Sequence, residues 1–146
     1  MIVGFEPAQR DDADALVAIR IAAMRDSLER LGRFDPARAR ARFLDGFEPA
    51  HTRHVVVDGQ RVGFVVVKPD GDELLLDHLY VLPAAQGRGI GAAVIADVLA
   101  RADACHARVR LGALRGSDAN RFYQRHGFVQ VGQSEWDIHY MRLPAR

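Results

Sequence analysis

The chain has almost no cysteine and almost no lysine. Cys105 is its only cysteine, so no internal disulfide can form and no cysteine-based metal cluster can be assembled. Lys68 is the one lysine among twenty basic residues, a bias that codon preference explains more readily than function. A dominant charge is also missing. Twenty basic residues against nineteen acidic ones leave +1, which provides no large electrostatic footprint for nucleic acid or anionic lipid. No apolar run approaches the ~18 residues of a membrane span. Met1 to Asp12 carries acidic residues and no basic flank ahead of an apolar stretch, so it does not read as a secretory signal, and a cytoplasmic location is expected. What remains is ordinary globular composition, 49% hydrophobic and 27% charged over 146 residues. One compact domain of this length buries roughly two-thirds of its unfolded surface, and residues 1–146 are expected to form a single domain.

Val3 to Pro7 reads as a first strand, followed by a helix that Asp11 and Asp14 could open and that runs to about Leu31. That helix carries two apolar stripes, Leu16-Ile19-Ala23 and Ile21-Met24-Leu28-Leu31, too far apart for one core-facing side. Asp35-Pro36 is an N-cap followed by proline at the first helical position, so a second helix starts there and ends near Phe47. His54–Val57, Arg61–Lys68 and Leu74–Val81 are rich in β-branched and aliphatic residues and are separated by Asp58-Gly59 and Pro69-Asp70-Gly71-Asp72, which predicts an antiparallel meander. After Pro83 the alanine-rich pattern predicts a helix beginning near Gly87. A strand at Val109–Leu114, a short helix over Asp118–His126, and strands at Phe128–Gly132 and Ile138–Leu143 complete a mixed α and β order.

The segment Gln86-Gly87-Arg88-Gly89-Ile90-Gly91 lies between a strand and a helix and has few side chains. Glycines let an anion approach the backbone, and the first N–H groups of a helix lack internal partners and face the positive end of its dipole. The segment is therefore suited to phosphate. Gly87, Gly89 and Ala92 also satisfy the dinucleotide pattern G-x-G-x-x-A, but Leu82 to Gln86 separate them from the strand, and the strands before them form a meander, not a βαβ unit. A P-loop would need Gly-Lys-Ser/Thr, which is absent.

Leu79-Tyr80-Val81-Leu82-Pro83-Ala84-Ala85-Gln86-Gly87-Arg88-Gly89-Ile90-Gly91 resembles the signature of GNAT acyltransferases, in which an L-x-V-x-P strand end runs into R/Q-x-x-G-x-G/A. Asp118-Ala119-Asn120-Arg121-Phe122-Tyr123-Gln124-Arg125-His126-Gly127-Phe128 resembles the family's N-x-x-x-F-Y-x-x-x-G-F region, with Asn120 one residue closer to Phe122 than the pattern has it. The resemblance implies an α/β (α+β) acyl-CoA N-acyltransferase fold, with a mixed, mostly antiparallel sheet and helices on both faces. It also implies acetyl-CoA as cosubstrate and no metal. The cofactor would lie where the neighbouring parallel strands ending at Val81 and Leu114 splay apart. Leu79 and Val81 would line the pantetheine arm, and Gln86, Gly87, Arg88, Gly89, Ile90, Gly91 and Ala92 the pyrophosphate. Arg88 could equally stay solvated. Asn120 and Tyr123 would also bind the cofactor.

Direct transfer from a thioester to an amine needs a deprotonated nucleophile, a polarised carbonyl and a proton for the departing thiolate. Tyr123 shares a helix face with Asn120, and a phenol of reference pKa about 10 keeps its proton at neutral pH; family tyrosines at this position point at the sulfur. Strand alternation groups Leu75, Asp77, Leu79 and Val81 on one face and Leu74, Leu76, His78 and Tyr80 on the other. Asp77 interrupts the first row four residues before Val81, where relatives carry a base. It could remove the amine proton, orient the ammonium or bridge to an arginine; His78, Glu73 and water are the alternatives. The other histidines show no metal-ligand spacing, and Cys105 lies at the far end of its helix.

By the same resemblance, the acceptor pocket would draw on the first two helices and the last strand pair, with Met24, Leu28, Leu31, Phe34, Trp136, His139 and Tyr140 as candidates. These residues could equally be core or a homodimer contact. Arg38, Arg40 and Arg42 spread around their helix and do not form a nucleic-acid site. The expected activity is N-acetylation of a small-molecule or peptidic amine. A protein N-terminal or lysine acetyltransferase and a non-catalytic acetyl-CoA-binding module are the alternatives.

Overall fold

A computed structural model describes all 146 residues. Its strands are β1 (Val3–Pro7), β2 (Thr52–Val57), β3 (Gln60–Asp70), β4 (Glu73–Val81), β5 (Arg108–Leu114), β6 (Val129–Gln133) and β7 (Asp137–Arg142), and its helices α1 (Ala13–Arg30), α2 (Pro36–Asp45), α3 (Ile90–Ala104) and α4 (Ala119–Arg125). The strands form one sheet in the order β1-β2-β3-β4-β5-β7-β6. The ladders β1/β2, β2/β3, β5/β7 and β6/β7 are antiparallel, and β4/β5 is parallel. The mixed, mostly antiparallel architecture expected from the sequence is thus present.

The chain divides into two compact units, Met1–Val66 with His78–Val94, and Val67–Asp77 with Ile95–Arg146. In the first, β2 and β3 are joined at Asp58-Gly59, both with positive φ (51° and 76°), the backbone of a tight two-residue hairpin. One residue of β3, Val62, is bulged out opposite the Val55/Val56 step of β2. Leu16, Val17 and Ile19 of α1 meet Phe43 of α2 and Phe64 and Val66 of β3 in the core. The second stripe of α1 is covered only in part: Met24 and Leu28 are half-buried and Leu31 is exposed.

The start of α1 differs from expectation. Arg10–Asp12 forms a turn of 3-10 helix, and Asp12, not Asp11 or Asp14, closes it by accepting from the Gln9 N–H at 2.8 Å. Asp14 instead pairs with Arg40 of α2 at 2.6 Å. The expected cap of α2 is present, with Asp35 Oδ1 accepting from Arg38 N at 3.1 Å. In the second unit, β5 buries Val109, Leu111 and Ala113 in strict alternation.

Candidate active site

The glycine-rich loop lies within the first unit. A 3-10 turn at Pro83–Ala85 ends β4, and Gln86 folds back so that its Nε2 donates to the Val81 carbonyl at 2.9 Å. Gly87 and Gly89 have φ of 77° and 80°, values that a side chain would strain, and a Cβ at either would meet nothing within 4 Å. These two residues unwind the segment, so the helix starts at Ile90, three residues later than the alanine pattern predicts. Ala93 N bonds back to Gly89 O at 3.1 Å, which leaves the amides of Ile90, Gly91 and Ala92 ahead of the first helical acceptor. The result is an open, main-chain donor surface at the N-terminus of a 15-residue helix, the arrangement that binds phosphate. Arg88 beside it is exposed.

The end of β4 is held from below by β3. An added Cβ on Gly63 would lie 2.2 Å from Tyr80 O and 3.2 Å from Val81 Cα, and Leu82 N donates to Val62 O at 2.8 Å. The glycine and the bulge together fix the backbone that carries Leu79 and Val81, both half-buried. On the opposite face of β4, His78 packs edge-on against Phe43, with ring centroids 5.3 Å apart, and its Nδ1 lies 3.5 Å from the Tyr80 hydroxyl. Phe64 lies 5.5 Å from Tyr80, and Arg20 of α1 approaches the same ring at 6.0 Å.

In the second unit, Asp77 is exposed and pairs with the sole lysine, Lys68 Nζ, at 3.3 Å. Glu73, at the other end of the strand, faces Arg108 at 3.6 Å. The β4/β5 ladder comprises three pairs, Glu73–Leu75 against Arg108–Arg110; β4 continues to Val81, and β5 turns its remaining bonds to β7.

Asn120 occupies the corner after β5. Its Nδ2 donates to Leu114 O at 2.9 Å and Ser117 O at 3.0 Å, and its Oδ1 accepts from the Tyr140 hydroxyl at 2.8 Å. Both ends of the amide are committed to protein groups, so the side chain ties β5, α4 and β7 together. Tyr140, 1% exposed, is therefore core and not pocket wall. Tyr123 follows one turn later, 8% exposed and set edge-on against Phe122 and Phe128 at 5.2 and 5.6 Å. Of the other acceptor candidates, Phe34 lies beneath the Arg25 guanidinium at 4.7 Å, Trp136 is 44% exposed, and His139 Nε2 is 3.2 Å from Ser134 Oγ.

Two groupings were not foreseen from sequence. His54 is fully buried, with Nε2 2.9 Å from Asp12 Oδ2, while Arg61 reaches the other carboxylate oxygen at 3.3 Å. The His54 hydrogen bond, reinforced by the Gln9 N–H and the Arg61 charge, lowers the Asp12 carboxyl from 3.8 to about 2. Arg20 is the other. It is only 6% exposed, and the readable signal was its position three and four residues after Val17 and Leu16, on the apolar stripe. No group of three or more His, Cys, Asp or Glu side chains is placed to hold a metal ion, and no helix is long and apolar enough to cross a membrane.

Comparison with known proteins bears on the same residues. The model of the acetyltransferase (GNAT) domain matches residues 50–130, more than half of the chain and the span that holds both the glycine loop and the Asn120–Tyr123 corner. No curated protein matches the chain. Among solved structures, the chain is similar to the PaiA N-acetyltransferase of Thermoplasma acidophilum in complex with coenzyme A, at 14% identity, TM-score 0.80, and coverage of 98% of this chain and 99% of that one. The GCN5-related N-acetyltransferase from Rhodopseudomonas palustris gives 22% identity and TM-score 0.72, with 98% of each chain covered. N-acetylglutamate synthase from Neisseria gonorrhoeae, complexed with coenzyme A and N-acetyl-glutamate, gives 17% identity and TM-score 0.71 over all of this chain and 36% of that one. These likenesses extend the fold beyond the matched segment to the first two helices and the last strands. With a family match over residues 50–130 and that fold throughout, the chain belongs to the GNAT acetyltransferase family.

Proposed function

We propose that residues 1–146 act as one acetyl-CoA-dependent N-acetyltransferase domain. In this reading the acetyl group passes directly from the thioester to an amine, with a small molecule as the first choice of acceptor. The observation that carries the reading is the loop at Gly87–Ala92, two glycines at positive φ that deliver unpaired amides at the start of α3, in a chain of this family. The amides of Gly87, Arg88, Gly89, Ile90, Gly91 and Ala92 hold the pyrophosphate, with Gln86 bracing the turn. Leu79 and Val81 line the pantetheine arm.

The amine nitrogen attacks the carbonyl carbon, the C–S bond breaks, and the thiolate takes its proton from the Tyr123 phenol. The ammonium proton leaves to Asp77, directly or through water. Lys68 at 3.3 Å holds that carboxylate in place. Asn120 acts by fixing the corner on which Tyr123 stands.

Titration of acetyl-CoA, followed by CoA release with a mixed amine panel, tests the reading. Gly89→Glu introduces both strain and a like charge, so binding should be lost. Tyr123→Phe should bind normally and release CoA about a hundredfold more slowly, and Asp77→Asn should lose roughly tenfold or more in kcat. Wild-type protein that binds no acetyl-CoA would overturn the proposal.

A further inference from the structure

Arg20 is a buried cation for which the chain supplies no counter-charge. It is 6% exposed, its Nη1 donates to the Ala39 carbonyl of α2 at 2.6 Å, and its Nε, shut off from solvent, has no hydrogen-bond partner. The two carboxylates at the start of α1 are paired with other arginines, Asp14 with Arg40 and Asp12 with Arg61. Its other neighbour is the Tyr80 ring at 6.0 Å, beside Phe64 and His78.

An arginine cannot shed its proton to escape burial, and an ion removed from water is strongly disfavoured unless an opposite charge meets it. A guanidinium with Nη1 occupied retains the Nε–Nη2 edge, whose parallel N–H groups fit the two oxygens of a carboxylate. Ile21, Phe47 and Tyr80, only partly buried, pack against the core that α1 and α2 share.

We propose that Arg20 is a substrate-binding residue for a carboxylate, and that the acceptor is an amine that also carries a carboxylate and an apolar or aromatic portion. The apolar portion would lie against Phe47 and Tyr80. This inference rests on the acetyltransferase reading for the fate of the amine, but not for the binding of the acid.

The test compares L-phenylalanine, L-leucine and L-methionine with their primary amides, by calorimetry on the full chain with CoA present, for wild type, Arg20→Gln and Arg20→Met. At least one acid should bind wild type about tenfold or more tightly than its amide, as a charge-assisted pair requires, and both variants should erase that difference while still binding CoA. The Tm of ligand-free Arg20→Met should be unchanged or higher, because an unpaired buried charge has been removed. Equal or absent binding of acid and amide in wild type, discrimination that survives in the variants, or a steep fall in Tm for Arg20→Met would each overturn the proposal. Acids that bind without any release of CoA from acetyl-CoA would instead count against the acetyl-transfer reading alone, and amines without a carboxylate that react as fast as those with one would count against this inference alone.

Discussion

Gly63 shows how a single residue can fix the backbone of a neighbouring strand. Its missing side chain lets the β4 backbone come so close that a Cβ would lie 2.2 Å from the Tyr80 carbonyl, and backbone cannot swing aside as a flexible side chain can. Gly63→Ala should therefore lower stability by about 2–3 kcal/mol in urea unfolding, and what folds should bind acetyl-CoA more weakly because Leu79 and Val81 have shifted. The pairing of Asp12 with the buried His54 gives a second residue-scale expectation. Folding depresses the Asp12 carboxyl from 3.8 to about 2, so its contribution is complete above the unfolded value and is lost as pH falls from about 3.8 toward about 2. Asp12→Asn should cost about 1 kcal/mol at neutral pH, once solvent screening is allowed for, and unfolding curves of variant and wild type should converge through that acid window. Neither feature could be read from sequence, since Gly63 sits in an apolar run without turn signals and Asp12 and His54 are 42 positions apart. Arg20 was missed for a related reason: an arginine on a helix is usually solvated, and only the packing of α2 through Ala39 shows otherwise.

Whole elements were more legible, because capping and turn chemistry are local. Asp35-Pro36 starts α2 where the cap and the proline place it, and Asp58-Gly59 makes the hairpin between β2 and β3. The cap should be measurable. Asp35→Ala removes an acceptor from the Arg38 N–H and should cost about 1 kcal/mol in thermal or urea unfolding, with no change in acetyl-CoA affinity. The start of α3 was harder, since Gly87, Arg88 and Gly89 continue a run that otherwise suits a helix. Helix propensity does not register that two of the three adopt positive φ, and the delay of the helix to Ile90 leaves the loop's amides unpaired. The short 3-10 turns at Arg10–Asp12, Pro49–His51 and Pro83–Ala85 went unread for a simpler reason: at three residues each they carry no periodicity.

At the scale of the whole molecule, the parallel pairing of β4 with β5 was implied by the family resemblance, which expects the strands ending at Val81 and Leu114 to be parallel neighbours, whereas the insertion of β7 between β5 and β6 depends on pairing between distant strands that no local pattern encodes. β3, β4 and α3 each begin in one compact unit and end in the other, so neither unit corresponds to a continuous stretch of chain. The scarcity of lysine gains weight here. Lys68, its side chain 17% exposed, is paired with Asp77 and is the only side-chain amine on a surface otherwise made basic by arginine. Amine-directed labels thus have two possible sites, Lys68 and the amino terminus. A mass spectrum of the chain after incubation with acetyl-CoA can show at most two amine acetylations, so the protein supplies its own nearly blank background against which any modified protein acceptor would stand out.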